Sequence, residues 1–220
     1  MAGVLLSVGM LAAAPAVTAE AAPATTVRSG MEIDVEESIL TQSKCTLGAV
    51  VSPTRAITAG HCGEVGRAVY NARGTRIGTI SANRITKGLD IAVIRLAPRQ
   101  RVQVDRIDWN AGFFRGQVVT KNGVTTGFSR GVVTDPKPTK RTARGIVWAP
   151  PFLLQHSTVS VRTNLLSKAG DSGSGVRDAS GRIVGILSSG VERPQHRCGT
   201  GLDAPGLPAV ARIGSDGCPR

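Results

Sequence analysis

The chain has 220 residues, enough to bury a sizeable core as one large or two small β domains. Aromatic residues make up only 3% of it, so Val, Ile, Leu and Ala must supply most of the core, and the 27 glycines suit an all-β protein with many tight turns. The formal net charge is +12, which indicates a well-solvated surface that also adheres to anionic cell-surface polymers.

The N-terminus has the pattern of an export signal. An apolar run covers 4–17, and Ala19 and Ala21 supply the small residues expected at a cleavage site. An export signal usually begins with basic residues, but no Lys or Arg precedes this run. The alternatives are an uncleaved anchor and an alanine-rich disordered tail. Pro15 interrupts the run, which argues against a spanning helix, and no later run is long enough to cross a bilayer. We predict a signal peptide over 1–21 and a secreted or cell-wall-associated protein.

The segment 22–43 is mixed in character. Its first part, 23–30, has the composition of a flexible stretch, and 31–37 is an acidic patch in a basic protein. We interpret it as either a short propeptide or the lead-in to the first strand.

The remainder alternates short β-prone runs with turn signals. We predict a first β unit with its linker over 44–112, and a second unit with the C-terminal tail over 113–220. No helix-period stretch runs far, apart from a short turn near 208–213. The predicted strands are 46–51, 55–59, 66–70, 76–82 and 90–96, then 117–120, 131–134, 145–148, 158–163, 175–177 and 182–188.

A serine between glycines stands in the string AGDSGSG at 169–175. Glycines allow a tight turn in which successive amides point into one small space, and such a nest can hold an oxyanion beside an attacking hydroxyl. On this interpretation Ser172 is the nucleophile, and the amides of Gly170 and Ser172 form the oxyanion hole. An ordinary Gly/Ser turn is the alternative.

Two further strings favour the catalytic interpretation. TAGHC at 58–62 places His61 after a β-prone run, and LDIAV at 89–93 places Asp90 at the start of another. A serine needs a base to take its proton, and a histidine needs a buried carboxylate to fix its tautomer. The chain order His61, Asp90, Ser172 is that of the chymotrypsin triad.

With these strings the sequence resembles the chymotrypsin-fold (trypsin-like) serine proteases, in particular the short secreted bacterial type of streptogrisins and α-lytic protease. Further matching stretches are CTLG at 45–48, GQVVTKNGVTTG at 116–127, RTN at 162–164 and DASGRIVGILSSG at 178–190. The matches run in family order from about 45 to 190. The resemblance implies an all-β fold of two packed six-stranded antiparallel Greek-key β-barrels, with the active site in the cleft between them.

The resemblance also implies where substrate binds. Ser188, Ser189 and Gly190 match the strand that pairs with the substrate backbone. Asn164 and Leu166 match residues that line the specificity pocket, which holds the substrate side chain just before the scissile bond. No aspartate stands there, so we expect a preference for small or medium apolar side chains instead of Lys or Arg.

The four cysteines allow three pairings, and free thiols or metal ligands are alternatives to disulfides. In the family the pair matching Cys45 and Cys62 is bridged beside the catalytic histidine. That leaves Cys198 to pair with Cys218. Because the cysteines are dispersed and lack CxxC spacing, we expect no metal site.

Asp171 requires a partner if its carboxylate is buried. In bacterial relatives a basic residue before the Thr-Thr-Gly turn fills that role, and Lys121 occupies the matching place. We predict an Asp171–Lys121 pair, with a newly formed N-terminus as the competing partner.

We therefore predict a serine-type endopeptidase that needs no cofactor and acts as a monomer on protein or peptide substrates. Two other classes stay open. One is a catalytically silent protease-like binding protein, and the other is a self-processing, nucleic-acid-binding protease suggested by the basic charge. Aromatic residues are not interleaved with the basic loop at 137–144, so we expect no specific nucleic-acid binding.

Overall fold

The computed structural model describes residues 26–37, 42–146, 153–188 and 209–211. These residues form β-strands and two short 3-10 turns, Gly60–Cys62 and Ile85–Lys87. None of the helical turns in the described ranges approaches the length and hydropathy that a membrane-spanning helix requires. The predicted signal peptide, Ser189, Gly190, Cys198 and Cys218 lie outside the described residues.

The first half of the chain supplies nine strands among the described residues. In chain order they are β1 (Thr26–Val27), β2 (Glu32–Glu36), β3 (Gln42–Thr46), β4 (Ala49–Ser52), β5 (Arg55–Thr58), β6 (Ala68–Asn71), β7 (Arg76–Asn83), β8 (Ala92–Leu96) and β9 (Arg101–Val102). Strands β2 to β8 form one antiparallel sheet in the order β3-β2-β6-β7-β8-β5-β4.

This first sheet curls round on itself. Its two edge strands, β3 and β4, follow one another along the chain with only Leu47 and Gly48 between them. The sheet counts seven strands because one strand of the predicted six-stranded barrel is interrupted at this point. The two halves are in close contact at this point, since a side chain at Gly48 would collide with the carbonyl oxygen of Gly173 and with Ile186 of the second half.

The second half supplies β10 (Val118–Gly123), β11 (Gly127–Ile146), β12 (Leu153–Thr163), β13 (Gly175–Arg177), β14 (Ile183–Ser188) and β15 (Ala209–Ala211). They close into a barrel in the order β10-β11-β12-β15-β14-β13. The predicted two-barrel, all-β fold class is thereby confirmed. The helical turn predicted near 208–213 is wrong at 209–211, because Ala209–Ala211 pairs with both β12 and β14 and completes the barrel.

The segment interpreted as a propeptide or a lead-in carries two of these strands. Strand β1 pairs in parallel with β9, and Val27 of β1 is fully buried. Strand β2 alternates buried Ile33 and Val35 with outward-facing acidic residues, which is the pattern of a sheet strand with one face in the core. Strand β2 therefore belongs to the first sheet, and β1 packs on the same core through Val27.

Each barrel has its own apolar core, and the two cores meet at β14. Ile186 of β14 packs with the core of the first barrel, while its neighbour Leu187 packs in the core of the second. Because successive side chains of a strand point to opposite faces, β14 contributes to both cores at once. This strand ends at Ser188, beside the residues described next.

Candidate active site

His61 and Asp90 are joined at two points. The Nδ1 atom of His61 lies 2.8 Å from Asp90 Oδ2, and the backbone amide of His61 donates to Asp90 Oδ1 at 2.8 Å. The Asp90 side chain is fully buried and that of His61 is 9% exposed. With Nδ1 facing the carboxylate, Nε2 is the ring nitrogen left for another partner.

Asn83 shapes the turn that carries His61. Its Nδ2 donates to the carbonyl oxygens of Gly60 at 2.6 Å and Gly63 at 2.9 Å, on either side of the histidine. Its Oδ1 accepts the amide of Ile85 at 2.9 Å, at the start of the next 3-10 turn. One side chain thus ties the histidine turn to the loop that leads to Asp90.

Ser188 gives Asp90 a third donor. Its hydroxyl donates to Asp90 Oδ2, the oxygen that also faces the His61 ring. Ser188 is buried at the end of β14, so this bond ties the second barrel to the Asp90 carboxylate of the first.

These contacts set the charge states of the pair. Burial alone would raise the pKa of Asp90, but the charge of His61 and hydrogen bonds from His61 and Ser188 lower it to about 2. Burial alone would lower the pKa of His61, but the Asp90 charge and hydrogen bond outweigh it and raise that pKa above its ordinary value. The carboxylate is therefore ionised at neutral pH and favours a positive charge on the imidazole.

Ser172 lies in a tight turn held between the two barrels. Its carbonyl oxygen accepts the amide of Thr46 at 2.8 Å, and the next amide, of Gly173, donates to Leu187 at 2.7 Å. Gly173 has φ +88°, and a side chain there would collide with Thr58, the first residue of the TAGHC string. Only glycine fits this contact, and it brings the serine turn against the end of the strand that leads to His61.

Two amides of this turn differ from their neighbours in their hydrogen bonding. The amides of Asp171, Gly173 and Ser174 donate to backbone carbonyls. Within the described part of the chain, the amides of Gly170 and Ser172 donate to nothing. A pair of unpaired amides flanking a serine hydroxyl is the arrangement that holds a developing negative oxygen.

Lys121 pairs with Asp171 beneath this turn, as predicted. Lys121 Nζ lies 3.0 Å from Asp171 Oδ2, and both side chains are fully buried. The carboxylate also accepts the amides of Thr125 at 2.8 Å, Thr126 at 3.0 Å and Lys168 at 3.0 Å, together with the Thr126 hydroxyl at 2.6 Å. Burial alone would raise the pKa of Asp171, but these donors lower it, so the carboxylate is ionised. The residue between the two unpaired amides is thereby fixed.

Ser172 and His61 are not hydrogen-bonded to each other. Ser172 is 8% exposed, and no bond joins its hydroxyl to the imidazole among the described residues. The structure therefore joins His61 to Asp90 and holds Ser172 in a turn against the neighbouring strand. Catalytic hydrogen bonds are often long in enzymes before substrate binds.

The two predicted pocket residues, Asn164 and Leu166, differ in their contacts. Asn164 Oδ1 accepts the amide of Val132 at 2.6 Å, so this side chain secures strand β11 to the loop before the serine turn. Leu166 is 55% exposed, and its carbonyl oxygen accepts the Ser129 hydroxyl at 3.3 Å. The structure gives Asn164 a structural contact and leaves the Leu166 side chain accessible.

Cys45 and Cys62 form a disulfide next to His61. The two sulfur atoms and one ring nitrogen of His61 lie within 4.8 Å of one another, a spacing that a metal ion could bridge. Metal ligation requires thiolates, however, and both cysteines are oxidised here. This trio is therefore a disulfide packed beside the catalytic candidate and not a ligand set.

Sequence reasoning missed two contributors to this site. Asn83 follows the predicted strand 76–82 directly and carried no motif signal, since a lone Asn at a strand end is common in turns. For Ser188 the sequence predicts substrate binding alone, because its contact with Asp90 joins residues 98 positions apart. The Asx-type contact with Ile85 is the one local cue that could have identified Asn83.

Comparison with known proteins gives the fold. No family model matches the sequence. Thermobifida fusca protease A is similar in structure with a TM-score of 0.54 and 22% identity, covering 76% of this chain and 85% of that one. Nocardiopsis protease has a TM-score of 0.55 and 24% identity, covering 76% and 86%. A glutamic acid-specific serine protease has a TM-score of 0.55 and 21% identity, covering 86% and 93%. The chain thus has the fold of the bacterial chymotrypsin-like serine proteases.

Proposed function

We propose that this protein is a serine endopeptidase in which Ser172, His61 and Asp90 act as nucleophile, general base and orienting carboxylate. The observation that carries the proposal is the buried Asp90 contact to His61 Nδ1 at 2.8 Å. It fixes the imidazole with Nε2 free, which is the form that accepts a proton from a serine hydroxyl.

The reaction follows from these roles. Ser172 Oγ attacks the peptide carbonyl carbon while its proton passes to His61 Nε2, and the amides of Gly170 and Ser172 stabilise the oxyanion. The C–N bond then breaks as His61 returns the proton to the leaving amine, which leaves an ester on Ser172. Water, deprotonated by His61, attacks this ester, and its hydrolysis releases the carboxylic acid and regenerates the hydroxyl.

Asp90 and Ser188 support this cycle without touching the substrate carbonyl. Asp90 favours the imidazolium that forms twice per turnover, and Ser188 donates to the same carboxylate oxygen. In the proposed complex the backbone of Ser188, Ser189 and Gly190 pairs with the substrate residues before the scissile bond. Leu166, with its exposed side chain, borders the pocket for the last of these residues, next to Asn164.

We further propose that the mature protein is secreted and monomeric and that it retains residues 26–37. A disulfide at Cys45 and Cys62 is typical of oxidising compartments, and a pair between Cys198 and Cys218 fits the same setting. Strand β2 belongs to the first sheet and β1 packs on its core, so processing would end before Thr26. The charge of +12 favours weak adhesion to anionic cell-surface polymers as a secondary interaction.

The test is hydrolysis of an unfolded protein such as reduced casein by the wild type, Ser172→Ala and Ser81→Ala. Ser81 is an exposed serine whose hydroxyl donates to the carbonyl oxygen of Val93 at 3.1 Å. Loss of hydrolysis in Ser172→Ala alone supports the proposal. Equal hydrolysis by all three proteins would overturn it.

A silent protease-like binding protein is the second candidate, and the missing hydrogen bond between Ser172 and His61 is the observation that favours it. It requires that correctly folded wild-type protein cleave no substrate while binding polypeptides. The binding experiments described below measure this directly.

A further inference from the structure

Four exposed basic residues lie in two segments that contact each other near Asp90. Arg84 and Lys87 lie in the loop before Asp90, and Lys137 and Lys140 lie in the outer part of β11. All four are exposed, and among the residues that the structure describes none of them forms an ion pair. We call these four residues the cationic rim.

A backbone contact joins the two parts of the rim. The amide of Val159 on β12 donates to the carbonyl oxygen of Gly88 at 2.8 Å, and Lys140 is the partner of Val159 in the strand register. The long hairpin of β11 and β12 therefore docks on the loop that holds Arg84 and Lys87. Asp90 follows Gly88 by two residues, so the rim stands beside the proposed triad.

Ser188 and the rim both adjoin Asp90. Ser188 donates to the Asp90 carboxylate, and Gly88, whose carbonyl oxygen accepts the amide of Val159 on the hairpin, lies two residues before Asp90. In the proposed complex Ser188 starts the strand that pairs with the substrate residues before the scissile bond. Because the rim adjoins the same carboxylate as Ser188, in that complex it would flank the part of the substrate that becomes the acyl group.

We propose that the cationic rim selects substrates with acidic side chains several residues before the scissile bond, so that the enzyme acts on acidic polypeptides. This inference rests on the proposed endopeptidase function. Exposed cations that lack a protein partner attract carboxylates with little competition from the protein itself, and they also speed encounter.

A polypeptide fits the rim better than a single-stranded nucleic acid. Proteins that bind single strands combine cations with aromatic side chains on which bases stack. The segments 84–90 and 135–146, which hold the rim, contain no Phe, Trp or Tyr. The rim offers charge alone, which suits flexible carboxylate side chains.

The first experiment measures binding without turnover. Ser172→Ala protein is titrated with labelled unstructured peptides whose upstream half is rich in Glu, Gln or Lys, at low and high salt. The same titrations are made with Lys87→Glu/Lys140→Glu and, as a matched control, with Arg95→Glu, an exposed cation at the far end of β8.

We expect the Glu peptide to bind best, with an affinity that falls as salt rises. Rim reversal by Lys87→Glu/Lys140→Glu turns two attractive charges into repulsive ones and should weaken binding by about tenfold, whereas Arg95→Glu, outside the rim, should weaken it by less than about twofold. Equal binding of the three peptides, or an equal loss in the Arg95→Glu control, would overturn the proposal. So would rim-dependent binding of oligo(dT) without any preference among the peptides.

The second experiment uses active protein and moves the charge along the peptide. Glu residues before the scissile bond should raise kcat/KM by about tenfold over the same residues placed after it, and rim reversal should abolish the difference. An equal kcat/KM for peptides with Glu residues after the scissile bond would contradict the proposal that the rim binds residues before that bond. If no peptide is cleaved but rim-dependent binding persists, the endopeptidase proposal fails and the recognition of acidic peptides stands.

Discussion

The carboxylate of Asp90 holds His61 through both of its oxygens, one on the backbone amide and one on the ring Nδ1, each at 2.8 Å. The first contact fixes the turn and the second fixes the ring. An asparagine at position 90 would have nearly the same shape as aspartate, but its NH2 group would face one of these two donors in place of an accepting oxygen. The tautomer of the imidazole therefore depends on this one side chain.

We expect Asp90→Asn to fold like the wild type and to lose activity by about four orders of magnitude in kcat, because the imidazole then presents the wrong tautomer to Ser172. Stopped assays on a fluorogenic peptide, with circular dichroism as the folding check, measure both effects. A decrease of only a few fold would mean that His61 does not act through Asp90.

The pH dependence of activity follows from the raised pKa of His61. General-base catalysis needs the neutral ring, so kcat/KM should rise with pH and reach half its maximum above the ordinary His value of 6.5. In Asp90→Asn, the residual activity should reach its half-maximum at a lower pH, since the carboxylate charge that raises the pKa is gone. A profile that is identical in the two proteins would show that another group titrates.

The contribution of the same pair to stability is lost at both ends of the pH range. The pKa of Asp90 is lowered from 3.8 to about 2, so its contribution is present above pH 3.8 and is lost as pH falls towards 2. The pKa of His61 is raised, so its contribution is complete below pH 6.5 and is lost as pH rises through the raised value. Urea unfolding of the wild type against pH should show both changes, and Asp90→Asn should show neither.

Asn83→Ala should reduce activity although Asn83 touches no reacting atom. The carbonyls of Gly60 and Gly63 would each lose a donor, at a cost of about 1 to 3 kcal/mol for each group that stays buried. Because these carbonyls bracket His61, kcat should fall more than KM changes. Asn83→Asp retains the contact to Ile85 but not the two donors, and it should behave like Ala if the donors matter.

Lys121→Met should destabilise the protein strongly. It removes the cation from a fully buried pair and leaves the Asp171 carboxylate without it, which costs about 3 to 5 kcal/mol. Activity should fall as well, since Asp171 stands between the amides of Gly170 and Ser172. Urea unfolding and kcat are the measurements, and unchanged values for both would mean that another group stabilises Asp171.

Local signals in the sequence predicted the residues that glycines and short strings mark. The AGDSGSG turn and the TAGHC string identify Ser172 and His61 because tight turns and strand ends leave clear local patterns. Ala209–Ala211 was missed as a strand because its three short apolar residues gain their pairing only from β12 and β14, which lie far away in sequence. The role of Asn83 is not predicted for the same reason, since its side chain donates to Gly60 and Gly63, which are at least 20 positions away in sequence. The sequence therefore predicts residues marked by local patterns, but not contacts between residues that are far apart in the chain.

The central claim is that Ser172 is a nucleophile activated by His61. Incubation with a fluorophosphonate, followed by peptide mapping in a mass spectrometer, tests it most directly. The account predicts a single phosphonyl adduct on Ser172, formed far more slowly in His61→Ala and absent in Ser172→Ala. A folded wild-type protein that stays unlabelled, or that carries the adduct on another serine, would contradict it.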